Sequence, residues 1–247
     1  MTYCVGMVLE KGLVLMSDTR TNSGVDNIST FRKMFSWQVP GERMIALMTA
    51  GNLATTQAVV SQLEERTKSP DERDNTLLKG PTMFSVATDV GRLLRSVIAE
   101  RQEANGDRGM GKFTASLILA GQIAGMEPRL FMIYPEGNFI EAGWDTPFFQ
   151  IGETKYGRPI LIRGYDRDMS YEDAVKLLMV SFDSTLKANL SVGLPLDLMV
   201  IGKDDFAPTH ERRVTREDAY FGEISSGWGD ALRSAFHSLP DYSFESP

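Results

Sequence analysis

The feature that most constrains the fold is the order of strand-like and helix-like segments along the 247 residues. Short segments rich in β-branched and aromatic residues come first, and amphipathic helical stretches follow them. The alternation then repeats before a last strand and a polar tail. Two antiparallel sheets flanked by layers of helices would bury all of these apolar faces. The sequence therefore predicts an α+β protein, a four-layer αββα sandwich.

Four strands are predicted in the first fifty residues, at 2–8, 12–17, 33–39 and 43–49. Their short connections favour an antiparallel meander, and the polar segment 18–30 is predicted to be a loop. Later strands are expected at 113–121, 130–134, 139–142, 148–151 and 194–201. Glu136 and Gly137 supply the hairpin turn inside this second group.

Helices are predicted from Asn52 to Pro70, from Met83 to the turn at 105–107, and from the Ser170 cap to Ala188. A short helix is expected near residues 228–237. The chain shows no internal repeat and no linker-like composition. We therefore expect one domain over residues 1–202, followed by a C-terminal extension, 203–247, that packs on the domain or on a neighbouring subunit.

Composition excludes several classes of protein. The net charge of −7 gives no basic surface for nucleic acid or anionic membrane, and no segment approaches the ~20 apolar residues of a membrane span. The N-terminus lacks the layout of a signal peptide. One cysteine and two histidines are too few for a disulfide framework or a structural zinc site. These features predict a soluble cytoplasmic protein.

A threonine directly follows the initiator methionine, at the start of the first predicted strand. Removal of Met1 would free the α-amine of Thr2 beside its side-chain hydroxyl, a candidate nucleophile. The ordinary pKa of such an amine, ~7.7–8.0, suits a base at neutral pH. A Met-Thr start is also common by chance, so Thr2 alone does not identify an enzyme. Cys4 lies on the same face of the strand and is interpreted as a packing residue.

Two charged residues follow Thr2 at the ends of predicted strands. Asp18 comes just after the second strand, and Lys33 begins the third. A lysine near the Thr2 amine would lower the pKa of that amine, and Asp18 would hold the lysine charged and oriented. Each residue by itself is typical of a turn or a solvated strand end. Their order behind a near-terminal threonine points to a site.

In this order the residues resemble those of a proteasome β subunit or its bacterial relative HslV. The matching segments are Thr2, Ser17–Arg20, Lys33–Phe35, Thr49–Gly51, Phe113–Gly121 and Pro135–Gly137. The later segments Gly152–Gly157 and Ser191–Asp197 look most similar to Anbu, the ancestral β-subunit branch of this family. The resemblance covers about residues 2–202, and it is the order and spacing of the motifs that make it specific.

The resemblance implies an N-terminal-nucleophile (Ntn) hydrolase fold and a role for each matching residue. Thr2 would be the nucleophile, Asp18 and Lys33 its activating pair, and the Gly51 amide the oxyanion donor. No metal or organic cofactor is required. The family's chemistry is hydrolysis of peptide or amide bonds through an acyl-enzyme ester.

The positions expected to support this site depart in part from the family's pattern. Arg20 and Ser191 match, but Glu153 lies where a serine is usual, and Asn189 replaces an aspartate with a one-residue shift. The network around the Thr2 amine is therefore altered, which places efficient peptide hydrolysis in doubt.

The favoured function is a threonine-type peptidase or amidohydrolase in a self-compartmentalising homo-oligomer, a ring or a spiral. Its substrates would be peptides or unfolded proteins, and an ATPase unfoldase is a candidate partner. Two alternatives remain open: a catalytically weak scaffold or peptide-binding assembly, and a small-molecule amidase of the wider superfamily. The mass of the purified chain discriminates first, because without loss of Met1 there is no free threonine amine.

Overall fold

The computed structural model describes residues 2–22, 28–68, 77–104 and 113–244, which contain twelve strands and five helices. The strands are β1 (Tyr3–Leu9), β2 (Gly12–Asp18), β3 (Arg20–Asn22), β4 (Ile28–Thr30), β5 (Met34–Val39), β6 (Arg43–Gly51), β7 (Ala115–Ile123), β8 (Arg129–Ile133), β9 (Phe139–Glu141), β10 (Phe148–Gly152), β11 (Leu196–Gly202) and β12 (His210–Val214). The helices are α1 (Leu53–Lys68), α2 (Met83–Ala104), α3 (Arg158–Gly164), α4 (Tyr171–Ala188) and α5 (Ala219–His237).

Two five-stranded sheets form the centre of the molecule. The first sheet has the strand order β10-β1-β2-β11-β12 and the second β5-β6-β7-β8-β9, and every pair is antiparallel. A separate hairpin of β3 and β4 lies between β2 and β5 along the chain. The antiparallel two-sheet arrangement confirms the predicted fold class.

Alternating side chains of the strands fill three apolar layers. Helices α1 and α2 cover the outer face of the second sheet, where Leu47 and Phe131 are fully buried. Helices α3, α4 and α5 cover the outer face of the first sheet, against side chains such as Met16. The layer between the two sheets contains Leu15 and Met48. The order of layers is therefore helix, sheet, sheet, helix, as predicted.

The helix predictions agree closely with the structure. Helix α2 covers the predicted residues, with one buried apolar stripe along its length. Ser170 caps α4, accepting a hydrogen bond from the Asp173 N–H at 3.0 Å. The predicted stops at Pro70 and at 105–107 lie outside the described residues.

Three sequence predictions are wrong in detail. The first four strands do not form one meander, because the chain crosses from the first sheet to the second between β2 and β5. Residues 18–30 are not only loop, since they contribute β3 and β4. The tail contains β12 and a 19-residue helix, α5, instead of a short helix alone. The sequence analysis also missed α3, which is only seven residues long.

The segment after residue 202 contacts the rest of the chain through both of its elements. Strand β12 pairs with β11, and Phe221 of α5 is buried against the first sheet's helix layer. The division at residue 202 stays a prediction. None of the helices in the described ranges has the length and apolar character needed to cross a membrane.

Candidate active site

A buried ion pair joins Asp18, the last residue of β2, to Lys33, which directly precedes β5. The Lys33 Nζ lies 2.7 Å from Asp18 Oδ1 and donates a second hydrogen bond, of 2.6 Å, to the Arg20 carbonyl oxygen. The Lys33 side chain is 5% exposed and the Asp18 side chain 0%. The crossover between the sheets thus brings together two residues that are 15 positions apart in sequence.

Asp18 also receives two backbone donors. The Tyr3 N–H donates to Oδ1 at 3.0 Å, and the Gly193 N–H donates to Oδ2 at 3.4 Å. Burial raises the pKa of the Asp18 carboxyl, while the Lys33 ammonium and the two N–H groups oppose that rise. The carboxylate therefore connects the start of β1, the lysine, and the segment that leads into β11.

Thr2 directly precedes β1 and is held through its backbone. Its carbonyl oxygen accepts a 2.6 Å hydrogen bond from the Glu153 N–H, next to the point where Tyr3 pairs with Gly152 of β10. Gly152 has a φ of +84°, and a Cβ there would collide with the Thr2 carbonyl oxygen. Only glycine allows this close approach of β10 to the chain start.

A cavity of about 390 Å³ opens beside Thr2. Lys33 and Gly51 also line it, so the four positions predicted to carry the chemistry, with Asp18 behind Lys33, meet at one end of the two sheets. Phe35 adds an apolar wall and Arg32 a second cation. The cavity is large enough to hold a side chain and the amide group attached to it.

Gly51 ends β6 with a backbone N–H directed away from β7. The Thr49 N–H donates to the Lys33 carbonyl oxygen at 2.9 Å, and the Asn52 N–H donates to the Thr114 carbonyl oxygen at 2.9 Å. Since N–H groups alternate in direction along a strand, the Gly51 N–H faces the same side as that of Thr49. Strand β5 begins at Met34, opposite Met48, and does not reach the level of Gly51, so the Gly51 amide faces the cavity. The φ of +118° and the tight contact with β7 again require glycine.

The two residues that depart from the family pattern contact each other directly. The Asn189 Nδ2 donates to Glu153 Oε2 at 3.0 Å, and the Lys155 N–H donates to Glu153 Oε1 at 3.0 Å. The Asn189 Oδ1 in turn accepts the Ser191 N–H at 3.0 Å. Glu153 and Asn189 are both nearly buried. The pair ties the end of β10 to the C-terminus of α4, next to Thr2.

Arg20 supports the same segment from the other side. Its Nη1 donates to the Leu190 carbonyl oxygen at 3.0 Å, and its guanidinium packs so closely on Gly193 that a Cβ there would collide with it. Arg20 therefore fixes the backbone that offers the Gly193 N–H to Asp18.

Sequence reasoning missed several contributors to this site. The Tyr3 and Gly193 N–H groups could not be identified because a backbone donor has no residue signature. The sequence feature that could have identified Arg32 as a cavity residue is its position directly before Lys33. Cys4 is fully buried between the sheets, as a packing residue would be. No cluster of histidine, cysteine and carboxylate side chains in the described part of the chain is suited to hold a metal ion.

Comparison with known proteins agrees with this geometry. The family model described as "Proteasome subunit" matches residues 2–201. The chain is 25% identical over 203 residues to the proteasome subunit beta of Methanocaldococcus jannaschii, covering 82% of each chain. It is 27% identical over 202 residues to the proteasome subunit beta 2 of Pyrobaculum calidifontis, covering 81% of this chain and 88% of that one.

Several proteins of solved structure are more similar in sequence to this chain than these two relatives are. Anbu (ancestral beta-subunit) from Yersinia bercovieri is 46% identical with a TM-score of 0.92, over 98% of this chain and 100% of that one. A helical assembly of the Anbu complex from Pseudomonas aeruginosa matches with 44% identity and a TM-score of 0.91, over 98% and 99% of the two chains. The likeness extends well past residue 202, so it includes the C-terminal segment.

Proposed function

The chain belongs to the proteasome subunit family, and we propose that it is a threonine-type peptidase or amide hydrolase with Thr2 as the nucleophile. The observation that carries the proposal is the buried Asp18–Lys33 ion pair in the wall of the cavity that Thr2 also lines. A lysine held charged at this position disfavours a second positive charge nearby. It thereby favours the neutral, basic form of the Thr2 amine.

The reaction follows from these groups once Met1 is removed. The Thr2 amine takes the proton of Oγ, through a water molecule, as Oγ attacks the carbonyl carbon of the substrate. The Gly51 N–H stabilises the negative charge that develops on the carbonyl oxygen. The carbon–nitrogen bond breaks, the leaving amine receives the proton, and an ester to Thr2 remains. Water then hydrolyses the ester and restores the threonine.

We propose further that the chain works as a cytoplasmic homo-oligomer. Large apolar side chains on and after α5 are at least half exposed, and they are Leu232, Phe236, Leu239, Tyr242 and Phe244. Apolar surface of this extent favours contact with another chain. The helical assembly formed by Anbu of P. aeruginosa supports a ring or spiral here. Such an assembly would restrict Thr2 to peptides or unfolded chains, and an ATPase unfoldase is the kind of partner that would supply them.

A second candidate is an assembly that binds peptides with little turnover. The Glu153–Asn189 pair favours it, because Glu153, whose N–H holds the Thr2 carbonyl oxygen, also carries a nearly buried carboxylate. A negative charge near the amine favours its protonated form, which cannot act as a base.

The test compares hydrolysis of short fluorogenic peptides by Met1-free protein and its variants. Thr2→Ala and Lys33→Ala should abolish turnover between about pH 6 and about pH 9, on both sides of the amine's ordinary pKa. The matched control is Thr88→Ala, on α2 and outside the cavity lining, which should retain wild-type turnover. Wild-type turnover by Lys33→Ala would refute the threonine mechanism. No turnover above the Thr2→Ala background by the wild type would favour the binding assembly.

The oligomer is tested by the mass of the purified chain in solution. Light scattering coupled to gel filtration should give a mass several times the 27.5 kDa of one chain. A monomer at micromolar concentration would exclude a compartmentalised enzyme.

A further inference from the structure

The cavity beside Thr2 has an unbalanced charge. Among the described residues that line it are two cations, Arg32 and Lys33, and no carboxylate. The positive charge of Lys33 is compensated from behind by Asp18, at 2.7 Å. Arg32 is exposed and forms no ion pair with any residue in the described ranges. Arg32 is therefore the one cation in the described lining of this cavity that has no ion-pair partner among the described residues.

A guanidinium in this position is suited to a carboxylate. It presents five N–H donors in a planar fork that matches the two oxygens of a carboxylate, and it stays charged at all relevant pH values. Two such charge-assisted bonds are stronger than neutral hydrogen bonds and are selective for geometry. None of the described residues that line this cavity is acidic, and Arg32 forms no ion pair with Asp197 or Glu211, the carboxylates of the neighbouring cleft that it also borders, so Arg32 is available for this contact.

The chemistry proposed for Thr2 determines which part of a substrate comes near Arg32. When Oγ bonds to the carbonyl carbon and the carbon–nitrogen bond breaks, the leaving amine departs with the proton. The acyl residue stays attached to Thr2 as an ester. Of the whole acyl-side peptide, the side chain of this residue is the one nearest Thr2 and therefore nearest the cavity that Arg32 also lines.

We propose that Arg32 is a specificity-determining residue, and that the site takes peptides whose acyl-side residue carries a carboxylate, glutamate or aspartate. This proposal rests on the proposed function of Thr2. Arg32 also borders a neighbouring cleft of about 560 Å³ that contains Arg212 and Arg213. Those two guanidinium groups are paired with Asp218 and Asp197, respectively, so they do not compete for an anionic side chain.

The first arm of the test measures hydrolysis. Coumarin amides of one peptide that ends in glutamate or in glutamine differ by a single charge next to the scissile bond. We expect kcat/KM to favour glutamate about tenfold or more, since a hydrogen bond to a charged group is worth that much. Arg32→Gln should bring the ratio near one, and Arg32→Glu should reverse the preference toward a lysine-ending peptide. Arg212→Gln, an equal change in net charge, should keep the wild-type ratio.

The second arm separates this proposal from the proposed reaction. Fluorescence anisotropy measures binding of labelled peptide amides with the same two end residues to the Thr2→Ala variant, which performs no chemistry at Thr2. The glutamate peptide should again bind about tenfold more tightly, and the difference should shrink near 1 M salt, where the Debye length is about 3 Å. The preference should vanish in the Thr2→Ala/Arg32→Gln double variant.

Each outcome decides one proposal. A glutamate preference in binding without any hydrolysis by the wild type overturns the proposed reaction and supports the assignment of Arg32. Hydrolysis that depends on Thr2 but shows no preference between glutamate and glutamine overturns the assignment and supports the reaction. A preference that survives Arg32→Gln in both arms also overturns the assignment.

Discussion

Replacing Lys33 by methionine isolates the buried ion pair on which the proposed chemistry depends. Methionine fills nearly the same volume but removes the charge and both hydrogen bonds of the Nζ, to Asp18 and to the Arg20 carbonyl oxygen. The Asp18 carboxylate would then remain fully buried with only the Tyr3 and Gly193 N–H groups as donors.

The loss of stability expected for Lys33→Met follows from the burial of Asp18. Removing one partner of a buried pair leaves an uncompensated charge and destabilises a protein by about 3–5 kcal/mol. Lys33→Met should lower the free energy of unfolding by an amount in this range. The double variant Asp18→Asn/Lys33→Met should cost less than the sum of the single variants, with a coupling of about 0.5–3 kcal/mol, because it leaves no buried charge unpaired.

The assay is urea unfolding followed by circular dichroism, at one protein concentration because self-association shifts apparent stability. Lys176→Met is the matched control. Its ammonium pairs with Asp173 at 2.6 Å on the surface of α4, where both side chains are about half exposed, and the urea midpoint should barely move. If Lys33→Met lowers stability no more than Lys176→Met does, the buried ion pair is not formed as described.

Three further predictions concern the surroundings of Thr2. At about pH 6, Glu153→Ser should raise turnover by about tenfold, because below both pKa values a fall of one unit in the pKa of the Thr2 amine increases its neutral fraction by that factor; the gain should disappear near pH ~9, and Glu153→Asp, which keeps the charge, should give no gain. Burial raises the pKa of the Cys4 thiol, so Cys4 should react with a chromogenic disulfide only after unfolding in urea, and fast reaction of the folded protein would contradict its place between the sheets. Gly152→Ala should abolish turnover and lower stability, since its Cβ would collide with the Thr2 carbonyl oxygen; an unchanged variant would show that the contact is absent.

Much of the fold could be predicted because its elements carry strong periodicity. Helix α2 has an apolar stripe over its whole length, and the central strands bury both faces. Strand β12 lacks such a pattern: four of its five side chains are exposed, and it is a strand because β11 offers it an open edge. The length of α5 was underestimated for the same reason, since only Phe221 of this helix is buried.

The positions that meet beside Thr2 were named from the sequence, but the contacts between them were not, and the roles given to these residues stay predictions. Thr2, Asp18 and Lys33 follow from their order in the chain. Glu153 and Asn189 were identified as separate departures, yet they form one hydrogen-bonded pair. That contact depends on the packing of α4 beside β10, which no local sequence pattern encodes.

The most direct test of the central claim is to map the adduct of a peptide epoxyketone by mass spectrometry. This electrophile bonds both the amine and the hydroxyl of an N-terminal threonine. Met1-free protein should carry one adduct per chain, at Thr2, and the Thr2→Ala variant should carry none. Labelling at any other residue, or none on Met1-free protein under conditions that modify a proteasome β subunit, would contradict Thr2 as the nucleophile.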